Sequence, residues 1–414
     1  MTTLRAARRS PCLRGALVAA AFAVGLATPF ASVAVGQEET LLVDDAAAAN
    51  PDLIETELGL PDGFAVEPAT LRLPDGFSIS VVAAGLQAPR FMTFDGAGNL
   101  IVADMSGMVY RYPSDGDGSI APAATPPETL LEGLDIPSSV VLHEVDGQEF
   151  LYVGQQTSVT RYPYEADAPL GDEETVVADL PAGGHVTRTV LFGADGMLYL
   201  SVGSSCNICD EEDEIRATVA RYQPDGSGFE IVARGLRNAV GLAVQPETEA
   251  LWATVNERDN QGDEIPPDLV TIVEPGADYG WPACQPPDAT PQEAGADCSR
   301  VTPPTVGVQA HSAPLGLTFY TGKQLPEAYA GDLFVAQHGS WNRSEPAAPK
   351  LLRIDMENGQ PVAARDFATG WQDSDGNRWG RPVGIVVAPD GGLIVSDDEA
   401  GLLYRIDTEA ADGS

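Results

Sequence analysis

The chain predicts an all-β fold, a six-bladed β-propeller of four-stranded antiparallel blades, and three observations carry that expectation. An apolar strand unit recurs six times along the 414 residues. The units follow one another at about 50 residues, one spacing being widened by an insertion, and this is the period of propeller repeats. Gly (43) and Pro (33) are abundant, which suits short strands joined by tight turns. A single blade cannot bury its own faces, so a ring of blades supplies the core. A sandwich or a pair of all-β domains would not account for six units.

Residues 1–36 read as an export signal. Arg5, Arg8, Arg9 and Arg14 form its positive start, Ala16 to Leu26 its apolar stretch, and Ala34-Val35-Gly36 the small residues of a cleavage point. The apolar stretch is short for a spanning helix. Arg8-Arg9 hints at a twin-arginine signal, although Ser10-Pro11-Cys12 follows it poorly. Residues 37–70 form an acidic lead, either an arm or a strand that closes the fold late. The propeller is expected over residues 71–410.

Within it, each unit has an apolar strand preceded by a turn and followed by a second strand that often ends in Arg-Tyr or Arg-Ile. The first set is Leu100–Asp104, Phe150–Gly154, Leu198–Gly203, Leu251–Asn256, Leu333–His338 and Leu393–Asp398. Met108–Tyr112, Val159–Tyr162, Ala217–Tyr222, Leu351–Ile354 and Leu402–Ile406 follow them. Shorter apolar strands such as Phe91–Phe94, Val240–Val244 and Val383–Val387 precede them. Residues 282–302 read as a decorated loop between blades four and five. Gly183 to Arg188 precedes a strand of the inner type, which puts it near the central opening.

The formal net charge of −38 excludes nucleic acid and anionic membrane surfaces as general partners. With 43% hydrophobic residues the chain is no disordered acidic tail. Loss of the four signal arginines would take the charge to −42. No other apolar run is long enough for stable membrane insertion, so the mature protein is expected to be periplasmic or secreted. Cys12 falls in the signal. The remaining Cys206, Cys209, Cys284 and Cys298 are an even number, as an oxidising compartment favours. Three pairings are open, and proximity favours Cys206–Cys209 and Cys284–Cys298. A redox-dithiol reading of Cys206-Asn207-Ile208-Cys209 lacks the βαβ context it needs. Asp210 stands where covalent haem attachment needs His.

Only four histidines are present: His143, His185, His311 and His338. His143 reads as a surface turn residue. His185 lies in Gly183-Gly184-His185-Val186-Thr187-Arg188, where glycines let the backbone approach a ligand. Imidazole is the side chain suited to take a proton near neutral pH.

Gly184 to Gly196 resembles the stretch around the catalytic histidine of the quinoprotein soluble glucose/sorbosone dehydrogenases. Gly235-Leu236-Arg237-Asn238 resembles that family's Arg-Asn segment, and Tyr279-Gly280-Trp281-Pro282 its Tyr-Gly-Trp-Pro signature. Gln309 to Pro314 and His338-Gly339-Ser340-Trp341-Asn342-Arg343 are similar to the sorbosone-dehydrogenase branch. Gly380-Arg381-Pro382 resembles the cofactor segment of the last blade. The resemblance runs in order over residues 70–408 and implies a six-bladed propeller that binds pyrroloquinoline quinone (PQQ) and Ca²⁺.

The implied roles are as follows. His185 is the general base that removes a hydroxyl proton from a sugar as hydride leaves for the quinone. Arg237 stabilises charge on the reduced cofactor. Arg237, Asn238, Asn256, His338, Arg343 and Arg381 bind PQQ, whose three carboxylates call for fixed cations. The Glu257 and Arg258 backbone carbonyls hold Ca²⁺, although the Asn256-Glu257-Arg258-Asp259 stretch lacks the Gly-Pro of the glucose dehydrogenases. No CxxCH occurs in the chain, so electrons would leave to a separate acceptor such as a soluble cytochrome. Trp341 and Trp379, beside candidate cofactor arginines, are the Trp residues to consider as sugar platforms. Two other functions stand beside this one. A Ca²⁺-dependent propeller lactonase would place Asp104, Asn256 and Asp397 around a central metal. A non-catalytic binding propeller would keep the scaffold alone.

Overall fold

A computed structural model describes residues 40–61, 70–115, 126–292 and 294–408. The expected export signal lies outside the described residues. Six antiparallel sheets form the blades, and their inner strands touch one another in a closed cycle. Blade 1 runs outward through Pro89–Phe94, Leu100–Asp104, Met108–Tyr112 and Glu128–Leu131. Blades 2, 3 and 5 repeat that order from the inner strands Ser139–Val145, Arg188–Phe192 and Pro314–Phe319. Blade 4 starts at Ala239–Val244 and takes its fourth strand, Val306–Val308, from beyond the disulfide-bearing loop.

That loop is therefore an insertion within blade 4, not a connection between blades four and five. It carries a small hairpin, Cys284–Gln285 with Thr290–Pro291, and the Cys284–Cys298 disulfide. Blade 6 closes the ring. Its inner three strands are Pro382–Val387, Leu393–Asp397 and Leu402–Thr408, and its fourth is the early strand Phe77–Ala84. The acidic lead adds edge strands: Leu53–Gly59 and Thr70–Pro74 extend blade 6, and Leu41–Val43 extends blade 4. A short helix after it, Asp45–Ala48, is tied to blade 5 where buried Lys350 pairs with Asp45 at 2.7 Å and Asp366 at 2.8 Å.

The second strands are the ones most plainly written in the sequence. Leu100–Asp104, Leu198–Val202, Leu251–Val255, Leu333–Gln337 and Leu393–Asp397 are buried along their whole length. Strands covered on both faces read as continuous apolar runs. His143 is not in a turn. It lies in the strand Ser139–Val145, its ring stacked on Phe192 at 3.6 Å between centroids.

Hydroxyl groups fasten adjacent blades. Ser139 Oγ of blade 2 donates to the Arg188 carbonyl of blade 3 at 2.8 Å. Thr254 Oγ1 of blade 4 donates to the Leu315 carbonyl of blade 5 at 2.5 Å. Ser396 Oγ of blade 6 donates to the Arg90 carbonyl of blade 1 at 2.6 Å. Two of these hydroxyls also accept from a backbone N–H freed by a bulge in their own inner strand: Gly241 N–H to Thr254 and Gly384 N–H to Ser396, both at 2.8 Å. The bulge bends the inner strand against its neighbour. At Gly241 a β-carbon would run into the Leu315 carbonyl, so no other residue fits there without moving a blade.

Thr254→Val keeps the shape and removes the hydroxyl, which strands a buried carbonyl and a buried N–H. It is expected to cost about 2 kcal/mol in denaturant unfolding. A loss below about 0.5 kcal/mol would mean that the inter-blade bond is not used.

Candidate active site

One end of the central channel widens into a cavity of about 340 Å³. Most of its wall comes from residues just before inner strands or just after second strands, the places where each blade reaches the ring's axis. His185, Arg237, Asn238, Asn256, His338 and Arg381 all line it, as does Glu257.

His185 sits on a loop held by two buried arginines. Arg188 donates to the His185, Thr187 and Pro181 carbonyls. Arg216 donates to the carbonyls of Pro181, Ala182, Gly183 and Gly203. Across from the ring, Gly203 leaves room for His185 and Asn238, both of which a β-carbon there would strike. His185 Nδ1 lies 2.9 Å from the Ser204 carbonyl and 3.0 Å from Ser204 Oγ. The Ser204 hydroxyl gives its own proton to the Cys206 carbonyl at 2.7 Å. Both atoms near Nδ1 are thus acceptors, so Nδ1 carries the proton and Nε2 keeps a lone pair. Nε2 has no hydrogen-bond partner among the described residues. Burial, and after it the charge of Arg237, lowers the His185 pKa to about 4, so the ring is neutral at ordinary pH.

Arg237 is buried and all its N–H groups are taken. Nε donates to the Asn207 carbonyl at 3.1 Å. Nη1 donates to the Asn256 and Glu257 carbonyls, and Nη2 to Asn207 Oδ1 and Asp259 Oδ2. Arg381 is placed differently. It donates to the His338 and Gly339 carbonyls at 2.9 and 3.0 Å and has no ion pair among the described residues. Burial, then the nearby Arg378 charge, lowers its pKa. Beside it His338 Nε2 donates to Asp398 at 2.7 Å, and Asp398 also pairs with Arg90 at 2.8 Å. Burial brings His338 to about 4 despite that carboxylate. Burial works against the Asp398 charge, but His338 and Arg90 outweigh it and hold its pKa at about 2.

Other expected members fall elsewhere. Arg343 does not line the cavity: its guanidinium turns to Glu264 at 3.0 Å and to the Asp263 and Glu345 carbonyls. Arg258 does not line it either. It is buried against Glu257 at 2.5 Å and the Pro282 and Cys284 carbonyls. Of the two Trp residues singled out, Trp341 is 72% exposed and lines the cavity. Trp379 packs with Trp371 and Tyr404. The carboxylates a lactonase would need are committed to their own loops. Asp104 accepts N–H bonds from Gln87, Ala88 and Ser106, and Asp397 from Arg381, Glu399 and Ala400. Neither lines the cavity. The one cluster of metal-ligating side chains among the described residues is Cys206, Cys209 and Glu211, whose cysteines are joined to each other.

Sequence reasoning missed Arg90, Asp268, His311 and Asn342, which also line the cavity. Arg90 had a usable signal. It stands at the start of an inner strand, close to the position that Arg237 and Arg381 hold just before theirs. Asp268 had none: its environment is made by the fold, which buries it and raises its pKa to about 7.

Comparison with known proteins places the chain. The TrAA12-like family model matches residues 71–286 and 283–409. A PQQ-dependent sugar dehydrogenase of Hypocrea jecorina is 25% identical over 397 residues, covering 81% of this chain and 88% of that protein. A PQQ-dependent pyranose dehydrogenase of Coprinopsis cinerea is 25% identical over 423 residues, covering 84% of this chain and 54% of that protein. An uncharacterized protein of Borreliella burgdorferi is 35% identical over 185 residues, 43% of this chain and 48% of that protein. The chain thus spans about half the length of the latter two. The calcium structure of the Trichoderma reesei family AA12 enzyme superposes with a TM-score of 0.73 at 22% identity, covering 84% of this chain and all of that one, and this likeness shows the fold. With a family match running from the first strands of the propeller to its closing strand, the chain belongs to the TrAA12-like family.

Proposed function

We propose that this protein is an exported PQQ-dependent dehydrogenase that oxidises an aldose or a related sugar alcohol or aldehyde. The observation that carries the reading is the pairing, in one cavity, of a neutral His185 with a free Nε2 and a half-buried Arg381 that has no carboxylate partner among the described residues.

The donor set fits the cofactor. PQQ is a tricarboxylate, and Arg381, Arg90 and Arg237 surround the cavity. Arg90 Nε and the Asn238 and Asn342 Oδ1 atoms are buried without partners among the described residues. Such atoms cost free energy unless a ligand or water meets them. For Ca²⁺, the Asn256 and Glu257 carbonyls and the Asp259 carboxylate are the oxygens that would suit a hard cation, and each already accepts from Arg237, whose charge the ion would have to face.

Bound PQQ supplies the quinone that takes up hydride from the carbinol carbon. His185 takes the hydroxyl proton at Nε2, while Ser204 holds Nδ1–H and so keeps the lone pair aimed into the cavity. Arg381 and Arg90 orient the anionic cofactor. Arg237, with every donor committed, acts by its charge and not by a new hydrogen bond. Trp341, exposed at the rim, offers its face to a sugar. The chain has no CxxCH, so electrons pass to a separate acceptor such as a soluble cytochrome. The two disulfides support an oxidising exterior, periplasmic or secreted.

Reconstitution of apoprotein with PQQ and Ca²⁺ should give dye reduction with sugars. His185→Ala should abolish turnover and spare PQQ binding. No quinone binding by the wild type would overturn the reading. Arg381→Ala should weaken PQQ binding about 10- to 100-fold in equilibrium dialysis; an unchanged affinity would remove Arg381 from the clamp.

The pH dependence follows from the depressed His185 pKa of about 4. The basic form persists as pH falls from 7 toward 5, and activity is lost only as pH drops through the pKa. The acid limb of kcat/KM should therefore lie well below the ordinary histidine value near 6.5. A limb at or above 6.5 would argue against His185 as the base.

A further inference from the structure

A loop that the mechanism leaves unused lies behind the active site. Cys206 and Cys209 close it with a disulfide, and Asn207 stands at its tip. Asn207 comes from blade 3, yet nearly every polar atom it has is spent on blade 4. Its Oδ1 accepts from Arg237 Nη2 at 3.0 Å and from the Asp259 N–H at 2.8 Å. Its Nδ2 donates to the Asp259 carbonyl at 2.9 Å. Its own carbonyl accepts from Arg237 Nε at 3.1 Å and from Trp281 Nε1 at 3.0 Å. Two of the five Arg237 N–H groups therefore end on this one residue.

The same loop reaches His185. The Cys206 carbonyl takes the Ser204 hydroxyl proton, and that leaves Ser204 Oγ free only to accept from Nδ1. The Ser204 N–H in turn donates to the Arg237 carbonyl at 2.8 Å. One small ring thus fixes both the tautomer of the base and the seat of the charge opposite it.

We propose that Asn207 is a positioning residue for the reaction and that the Cys206–Cys209 disulfide is its mount. The disulfide holds a four-residue loop to one shape, so Asn207 meets Arg237 without an entropy cost at each encounter. Lacking these bonds, Arg237 would keep Asn256, Glu257 and Asp259 as partners but lose the side that fixes its plane. The proposal rests on the dehydrogenase reading for its kinetic consequence, but not for its structural one.

Two measurements separate the two. The first is hydrogen exchange of the Arg237 side-chain Nε–H, followed by NMR in isotope-labelled protein without cofactor. It should be slow in the wild type and at least about tenfold faster in Cys206→Ser/Cys209→Ser. The second is steady-state dye reduction with PQQ and Ca²⁺. Asn207→Ala should lower kcat about 10- to 100-fold with KM changed less than about threefold, because positioning is lost and not substrate binding. Asn207→Asp keeps an Oδ acceptor for Arg237 and should recover part of kcat.

Equal exchange rates in wild type and the double-serine variant would overturn the mount. Unchanged kcat in Asn207→Ala, or a fall matched by the loss of folded protein in thermal unfolding, would overturn the positioning role. A wild type that binds PQQ but oxidises no sugar would sink the dehydrogenase reading, while the exchange measurement would still decide the mount.

Discussion

The structure depends on how closely neighbouring blades can approach. A propeller of short strands has no helix to cover its faces, so each sheet must lie flat against the next. That approach brings backbone carbonyls of one blade against the inner strand of another, in places where water cannot follow. Hydroxyls from Ser139, Thr254 and Ser396 satisfy them, and a glycine at position 241 removes the β-carbon that would collide. An unmet buried carbonyl would cost more than a single satisfied bond contributes. Small hydroxylated residues at these points are therefore a condition of ring closure.

The cavity follows from the same geometry. Each inner strand begins near the axis, so the residues at or just ahead of its start face the centre. Three such positions hold Arg90, Arg237 and Arg381. In a chain with formal charge −38, cations so close together are not surface neutralisers. The structure treats them unequally. Arg90 leans on Asp398, Arg237 is enclosed by five oxygens, and Arg381 is left with carbonyls alone. That gradation separates a residue that acts through its field from one open to direct contact with an anion.

Much of this was legible because burial on both faces writes itself as an apolar run. The second strands Leu100–Asp104 and Leu393–Asp397 were read from such runs. An outer strand such as Glu128–Leu131, exposed over its first half and opening on a charge, left little trace. The blade-4 insertion misled for a related reason. Its last strand, Val306–Val308, is three residues long and is separated from its partner Asp268–Ile272 by the whole disulfide-bearing loop. His185, Arg237 and Arg381 were found through their motifs. Arg343, in an equally suggestive motif, faces Glu264 at the edge of the site, because a motif fixes neighbours in sequence and not direction in space.

The sequence by itself determined the number of blades and the residue types available to handle an anion and a proton, and it favoured the cysteine pairings that lie near each other in the chain, which the structure then bore out. Local rules suffice there: strand period, turn residues and short loop closure act within a few tens of residues. Only the tertiary structure decided which lone pair His185 keeps, which arginine is free, and that Asp268 sits buried beneath the cavity. Those properties arise from contacts between blades, where Ser204, Asn207 and Asp259 meet Arg237 from separate stretches of chain. The acidity that first served to exclude partners acquires a centre only when folding gathers its few opposing charges around one hollow.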